Sequence, residues 1–175
     1  YGTSLHKWLL APIGTGFLYV KKDRQKRLWP LMAATAEMDE NIRKYEEIGT
    51  HPAANHNAIS AALAFHRAIG SERKIARLRY LRDRWARRLL AESDRVRVLT
   101  PLDSPYAGAI GLVAVEGIDT PALGSWLMRE HRVVTTGIGH PEFHGLRITP
   151  NVYTTVDEVD LFADLMLRAI TRGIA

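Results

Sequence analysis

Cysteine is absent from the 175 residues. That excludes disulfides and Cys-ligated zinc, but it leaves the compartment open, because cytosolic and exported proteins can both lack Cys. Long apolar runs are also missing: no stretch approaches the ~18 uninterrupted apolar residues of a membrane-spanning helix. No basic-then-apolar leader opens the chain, which starts without Met at Tyr1-Gly2-Thr3. The expectations are therefore no membrane among the partners, a cytoplasmic location, and a true N-terminus that lies elsewhere. Repeats and low-complexity segments are lacking too. What is present is a hydrophobic share of 46%, which is that of a globular chain able to bury a core.

A net charge of +5 invites a nucleic-acid reading, so the distribution of the charge matters. The whole excess sits in residues 72–92, where Arg73, Lys74, Arg77, Arg79, Arg82, Arg84, Arg87 and Arg88 face only Glu72, Asp83 and Glu92. Ile75, Leu78, Leu81, Trp85 and Leu89 recur among them at helical spacing, which predicts a solvated basic face over a packed apolar one. A polyanion-binding or nucleic-acid-binding module built on this helix stands as the alternative function class. Such a module needs aromatic platforms along a basic groove, and here the aromatics sit in apolar stripes.

Glycine, proline and capping residues punctuate the rest. Phe17 to Val20 reads as a short buried strand after Gly14-Thr15-Gly16. Residues 23–57 read as an irregular, functional loop anchored by Trp29, Met32, Met38 and Tyr45. An alanine-rich helix over 57–69 ends at Gly70, and Ser71 is expected to cap a second helix reaching about Glu92. That helix, roughly 30 Å long, is long enough to link two lobes. Strands follow at 96–99 and 109–115, then a helix entered through Asp119-Thr120-Pro121 and strands at 132–136 and 146–149. Thr155-Val156-Asp157-Glu158 has capping-box spacing and opens a last helix to about Arg172.

Chemistry concentrates at Ser4-Leu5-His6-Lys7-Trp8. Lys7 is flanked by Leu5, Trp8, Leu9 and Leu10, so partial desolvation of its amine is expected, which favours the free base needed for imine formation. Ser4 and His6 are donors suited to a phosphate beside that amine. Read alone, such a pair is more often an ordinary surface lysine and histidine. His51, Asn55 and His56, and the Gly137-Ile138-Gly139-His140 and Phe143-His144 segment, are further pocket candidates. No metal site is expected, because neither His51/His56 nor His140/His144 has a carboxylate pattern or a helix to preset its geometry.

Ser-x-His-Lys-Trp, the Gly-rich turn and the Leu-Tyr-Val strand together resemble the cofactor-lysine segment of the class V aminotransferases, pyridoxal 5'-phosphate (PLP) enzymes of fold-type I. Two further segments match in order. Glu47-Ile48-Gly49-Thr50 is similar to the family's Gly-Thr loop. The run Leu146-Arg147-Ile148-Thr149-Pro150-Asn151-Val152-Tyr153-Thr154-Thr155 resembles its Arg-containing strand and the turn into its final helix.

The resemblance implies an α/β fold forming the C-terminal portion of such an enzyme. Residues 1–57 would end the large PLP-binding domain, 58–92 would link the lobes, and 93–175 would form a small C-terminal α/β domain. It implies that Lys7 is catalytic and forms a Schiff base with PLP, with Ser4 and His6 on the phosphate. Thr50 would reach the phosphate of a neighbouring subunit in a homodimer with shared active sites. Arg147 would clamp the α-carboxylate of an amino acid or keto acid substrate. The family's pyridine-nitrogen Asp, ring-stacking residue and first phosphate loop precede the lysine and are not in this chain, so the 175 residues alone are expected to be inactive. A catalytically inactive relative of the fold is a third reading. Lacking Cys, the chain does not suit a Cys-dependent desulfurase; amino-group transfer, epimerisation or another Cα or Cβ reaction on an amino acid remains, with Trp8 and the Gly-Thr-His-Pro loop closest to the isopenicillin N epimerase-like branch.

Overall fold

The computed structural model describes residues 1–174, and the chain divides into two compact units, Tyr1–Ile69 and Gly70–Ala175. In the first, strands β1 (Gly2–Ser4) and β2 (Gly16–Leu18) pair antiparallel, with Ser4 opposite Gly16. Leu5, Ala11 and Ala62 form a small core, with Leu9 and Ile59 packed on it. The strand expected to be buried at 17–20 is instead an exposed one at 16–18. A ribbon of two strands has no second layer over Phe17, Leu18 and Tyr19, which stay 46–59% exposed. β1 was not expected, because Gly-Thr-Ser carries no apolar alternation.

Residues 23–57 are less irregular than their composition predicts. Short 3-10 turns form at Lys22–Arg27, Ala36–Met38 and Ile42–Tyr45. Buried Lys44 ties them together, its ammonium donating to the carbonyls of Gln25 (3.1 Å) and Asp39 (3.2 Å). The short helix α1 (Ala53–Asn57) leads into α2 (Ile59–Ile69).

The second unit is an antiparallel sheet with helices on one face. Helix α3 (Ser71–Glu92) precedes β3 (Val96–Val98) and β4 (Gly111–Val115). Helix α4 (Thr120–His131) then leads to β5 (Thr136–Gly139), β6 (His144–Ile148) and helix α5 (Val156–Arg172), with strand order β3-β4-β6-β5. Helix ends follow the capping chemistry in part. The Asp119 carboxylate accepts from the Ala122 amide (2.9 Å), and Thr155 and Glu158 complete the capping box. At α3, however, Gly70 (φ 85°) holds the cap position and Ser71 is the first helical residue. Arg132 takes the left-handed C-cap of α4 (φ 57°). That cap delays the strand expected at 132–136 until Thr136.

Trp85 of α3 sits at the centre of the core, edge-on to Phe162 of α5 with ring centroids 5.6 Å apart. Its indole lies flat enough on β4 that a Cβ at Gly111 would come within 2.4 Å of the ring. Leu81, Leu89, Leu127, Leu146 and Met166 complete the core, all fully buried.

The basic face of α3 is solvated only in part: Arg73, Arg84 and Arg87 are exposed, while other cations turn inward. Arg82 is only 1% exposed, with its guanidinium donating to Asp83 and to the carbonyls of Gly108 and Leu102. Arg79 donates to the Pro105 and Ala107 carbonyls, Arg77 to that of Thr154. Arg84 forks onto Asp160, Arg88 bridges Glu92 and Asp164, and Arg87 pairs with Asp103. These arginines fasten α3 to α5 and to the 102–108 loop, which leaves the polyanion-surface reading without its supply of unengaged cations. Hydrogen bonds from Arg84 hold the Asp160 carboxyl below the usual carboxylate range, with the guanidinium's charge adding to them.

Two outcomes follow. Gly111→Ala forces the Trp85 ring off the sheet and costs about 1–3 kcal/mol, read as a lower urea midpoint. A depressed carboxyl stabilises the fold above its unfolded pKa, and that contribution is lost as pH falls through the lower folded value. Asp160→Asn is therefore less stable than wild type at neutral pH, and the gap closes as a Tm series is carried into acid.

Candidate cofactor and substrate site

Lys7 sits in a loop closed between β1 and β2. The amide of Leu5 donates to the Thr15 carbonyl (3.0 Å), that of Ala11 to the Leu5 carbonyl (3.1 Å), and that of Leu10 to the Lys7 carbonyl (3.2 Å). Leu5 and Ala11 turn inward, while Trp8, Leu9 and Leu10 are half-buried. The expected desolvation of Lys7 does not occur within this unit: its apolar neighbours fill the interior, and Lys7 projects outward, exposed. No ion pair or hydrogen bond engages its amine among the described residues.

Ser4 ends β1, exposed, and His6 is half-buried. The Nδ1 of His6 is shielded from solvent and has no hydrogen-bond partner within the chain. A buried polar atom left unpaired costs free energy, so this ring nitrogen, on the residue preceding Lys7, is suited to a group from outside the described residues.

Gly49 (φ 78°) turns the chain so that Thr50 is exposed. His51 Nδ1 lies 3.0 Å from the Gly49 carbonyl, and the His51 ring meets His56 edge-on at 4.8 Å. Beside this turn runs a cleft of about 600 Å³, lined among others by Phe17, Glu47, Ile48, His51 and His56 but by none of Ser4, His6, Lys7 or Thr50. The Asn55 side-chain amide donates to the Ile13 carbonyl (3.2 Å), tying α1 to the loop that carries Lys7. Sequence reasoning placed Asn55 near the pocket but gave it no role; a contact spanning 42 residues has no local signature.

Arg147 belongs to the second unit. On β6, Leu146 faces the helices and is buried, so the pleat turns Arg147 to the opposite, helix-free face. It stands across from Leu112 of β4 and Thr136 of β5. No carboxylate or hydrogen-bond acceptor engages its guanidinium among the described residues. Thr136, its exposed cross-strand neighbour, was not singled out in the sequence; only strand register could have found it. In the β5–β6 hairpin, His140 stacks on Phe143 at 4.4 Å and its Nδ1 accepts from the Glu142 amide (3.1 Å). Among the described residues no group of three or more His, Asp or Glu is placed to hold a metal ion, and no helix is long and apolar enough to cross a membrane.

The groups at Lys7 fit PLP: a primary amine suits an aldehyde, and the Ser4 hydroxyl and a His6 imidazole with an unpaired ring nitrogen suit a phosphate.

Comparison with known proteins bears on the same features. The profile of the aminotransferase class-V family matches residues 1–162. A probable hercynylcysteine sulfoxide lyase of Mycobacterium tuberculosis is 32% identical over 173 residues, covering 95% of this chain and 43% of that protein. An isopenicillin N epimerase of Streptomyces clavuligerus is 34% identical over 185 residues, covering 95% and 46%. The chain thus spans a little under half the length of these relatives. Among solved structures, the apo cysteine desulfurase of Thermococcus onnurineus NA1 superposes with TM-score 0.78 at 19% identity, over 94% of this chain and 45% of that one. An alanine–glyoxylate aminotransferase of Nostoc sp. superposes with TM-score 0.57 at 18% identity, over 76% and 36%. At those identities the likeness is one of fold: the mixed α/β architecture of part of a fold-type I enzyme, as the motifs implied.

Proposed function

This chain belongs to the aminotransferase class-V family, and from that premise we propose that the protein is a PLP-dependent enzyme acting on an amino acid, with Lys7 as its cofactor lysine. The observation that carries the proposal is the exposed, unengaged Lys7 amine beside a His6 nitrogen that is buried and unpartnered. When bound, PLP supplies an electrophilic aldehyde and a ring that draws electrons from the substrate's Cα. The chain's own groups do the rest. The Ser4 hydroxyl and a His6 ring N–H would donate to the phosphate beside Lys7, and the Thr50 hydroxyl to that of a second copy. Lys7 Nζ would hold the cofactor aldehyde, and its amine, when free, would take the substrate Cα proton and return it.

Arg147 would pair with the substrate α-carboxylate through two parallel N–H donors. Thr50 serves the site of a second copy, so the working unit is a homodimer with shared active sites. In this reading residues 1–57 belong to the cofactor domain, 58–92 link the lobes and 93–175 form the substrate-clamping lobe. Amino-group transfer or epimerisation is the chemistry proposed; relatives named as an epimerase and a lyase support Cα or Cβ reactions on amino acids.

Substitutions in the full-length protein test these roles separately. Lys7→Arg keeps the charge but removes the primary amine, and the expected result is loss of the visible absorbance band of lysine-bound cofactor together with turnover. Arg147→Ala keeps that band but weakens substrate binding by about 2–4 kcal/mol, read as a rise in KM of roughly 30-fold or more. A Lys7→Arg protein that still turns over, or an unchanged KM in Arg147→Ala, contradicts the respective assignment.

A further inference from the structure

The turn that presents Lys7 passes through the left-handed region at a leucine. Leu10 has φ 65°, and the only other described non-glycine residue with positive φ is the helix cap Arg132. Glycine enters this region freely and Asn or Asp with little difficulty, whereas a larger side chain is strained there. Strained positions persist only where the surroundings over-determine them, and they gather at functional sites.

The surroundings of Leu10 meet that description. Its amide closes the Lys7–Leu10 turn on the Lys7 carbonyl (3.2 Å), and the following amide, Ala11, is bound to the Leu5 carbonyl (3.1 Å). Leu5 and Ala11 are both buried. Beyond them the loop is fixed again: the Thr15 hydroxyl, 3% exposed as a residue, donates to the Pro12 carbonyl (2.7 Å), and Asn55 holds the Ile13 carbonyl. The loop is thus anchored on both sides of a four-residue arch that carries Lys7 at its start and the strained leucine at its end. A glycine at the same place would satisfy φ without strain, but it would also admit other arches.

We propose that Leu10 is a positioning residue for Lys7: its left-handed turn, made rigid by a half-buried side chain, restricts the arch to the one conformation that projects the Lys7 amine outward. The proposal rests on Lys7 being the cofactor lysine. A preorganised amine binds the cofactor aldehyde without first ordering its own backbone, so relaxing the arch weakens binding rather than folding.

The test compares wild-type, Leu10→Gly and Leu10→Asn full-length proteins. Three quantities are read: Tm of the cofactor-free protein, the Kd for PLP, and hydrogen-exchange protection of the Leu10 and Ala11 amides without cofactor. Leu10→Gly is expected to keep or raise Tm, to lose protection at these two amides, and to bind PLP about two- to fivefold more weakly. Leu10→Asn, which tolerates the left-handed region, is expected to restore most of the affinity. Wild-type Kd and protection in Leu10→Gly overturn the proposal. So does failure of Leu10→Gly to fold, because glycine accepts this φ and a residue that acts only through Lys7 is dispensable for folding. If wild-type protein takes up PLP without attachment to Lys7, the cofactor reading itself has failed. If attachment is normal and the glycine variant binds like wild type, the failure belongs to Leu10 alone.

Discussion

The contact between the Trp85 indole and the bare backbone of Gly111 sets the geometry of the Gly70–Ala175 unit. A large ring needs a flat, side-chain-free place on the sheet, and β4 provides it where α3 crosses. With α3 docked there, α5 packs on α3 through Phe162, and α4 covers β5 and β6 on the same face. Strand β6 then has one side toward the helices and one helix-free side. Leu146 falls in the first and Arg147 in the second, so the orientation of the proposed carboxylate clamp follows from core packing and not from any contact that Arg147 makes itself. The arginines of α3 serve the same end, fastening α3 to α5 and to the 102–108 loop by carboxylate and carbonyl partners.

A different constraint governs Lys7. Within Tyr1–Ile69 only Leu5, Ala11 and Ala62 are buried apolar residues, and the loop is ordered chiefly by backbone hydrogen bonds closed on itself. An amine on such a loop is accessible, and its placement depends on the stiffness of the arch more than on packing. That is why the strained leucine next to it carries functional weight in this account.

Much of this was legible in the sequence, and the exceptions have physical causes. The α3 stripe of Leu78, Leu81, Trp85 and Leu89, the Asp119 cap and the Thr155–Glu158 capping box are local patterns, and all three appear in the structure. Arg82 was read as solvated because charge predicts exposure, but a guanidinium with three acceptors at hand is stable when buried. The strand before Arg147 was placed too early because Val133 and Val134 look like strand residues, while the left-handed Arg132 cap keeps them out of the ladder. Phe17-Leu18-Tyr19 looked buried because three apolar residues in a row predict a covered strand, and covering depends on neighbours that local sequence does not name. The proposed site residues were named from ordered motifs and not from periodicity: Lys7, Thr50 and Arg147 lie in segments whose individual signals are weak. Asn55, Thr136 and the role of Leu10 depend on register and backbone conformation, which spacing alone does not carry.

The central claim is that Lys7, and no other lysine, holds the cofactor. The most direct measurement is borohydride reduction of full-length protein incubated with PLP, followed by digestion and mass spectrometry. The account predicts a phosphopyridoxyl group on the peptide containing Lys7, at near-stoichiometric yield. Label scattered over surface lysines such as Lys21, Lys22 and Lys26, or no label at all, would contradict it.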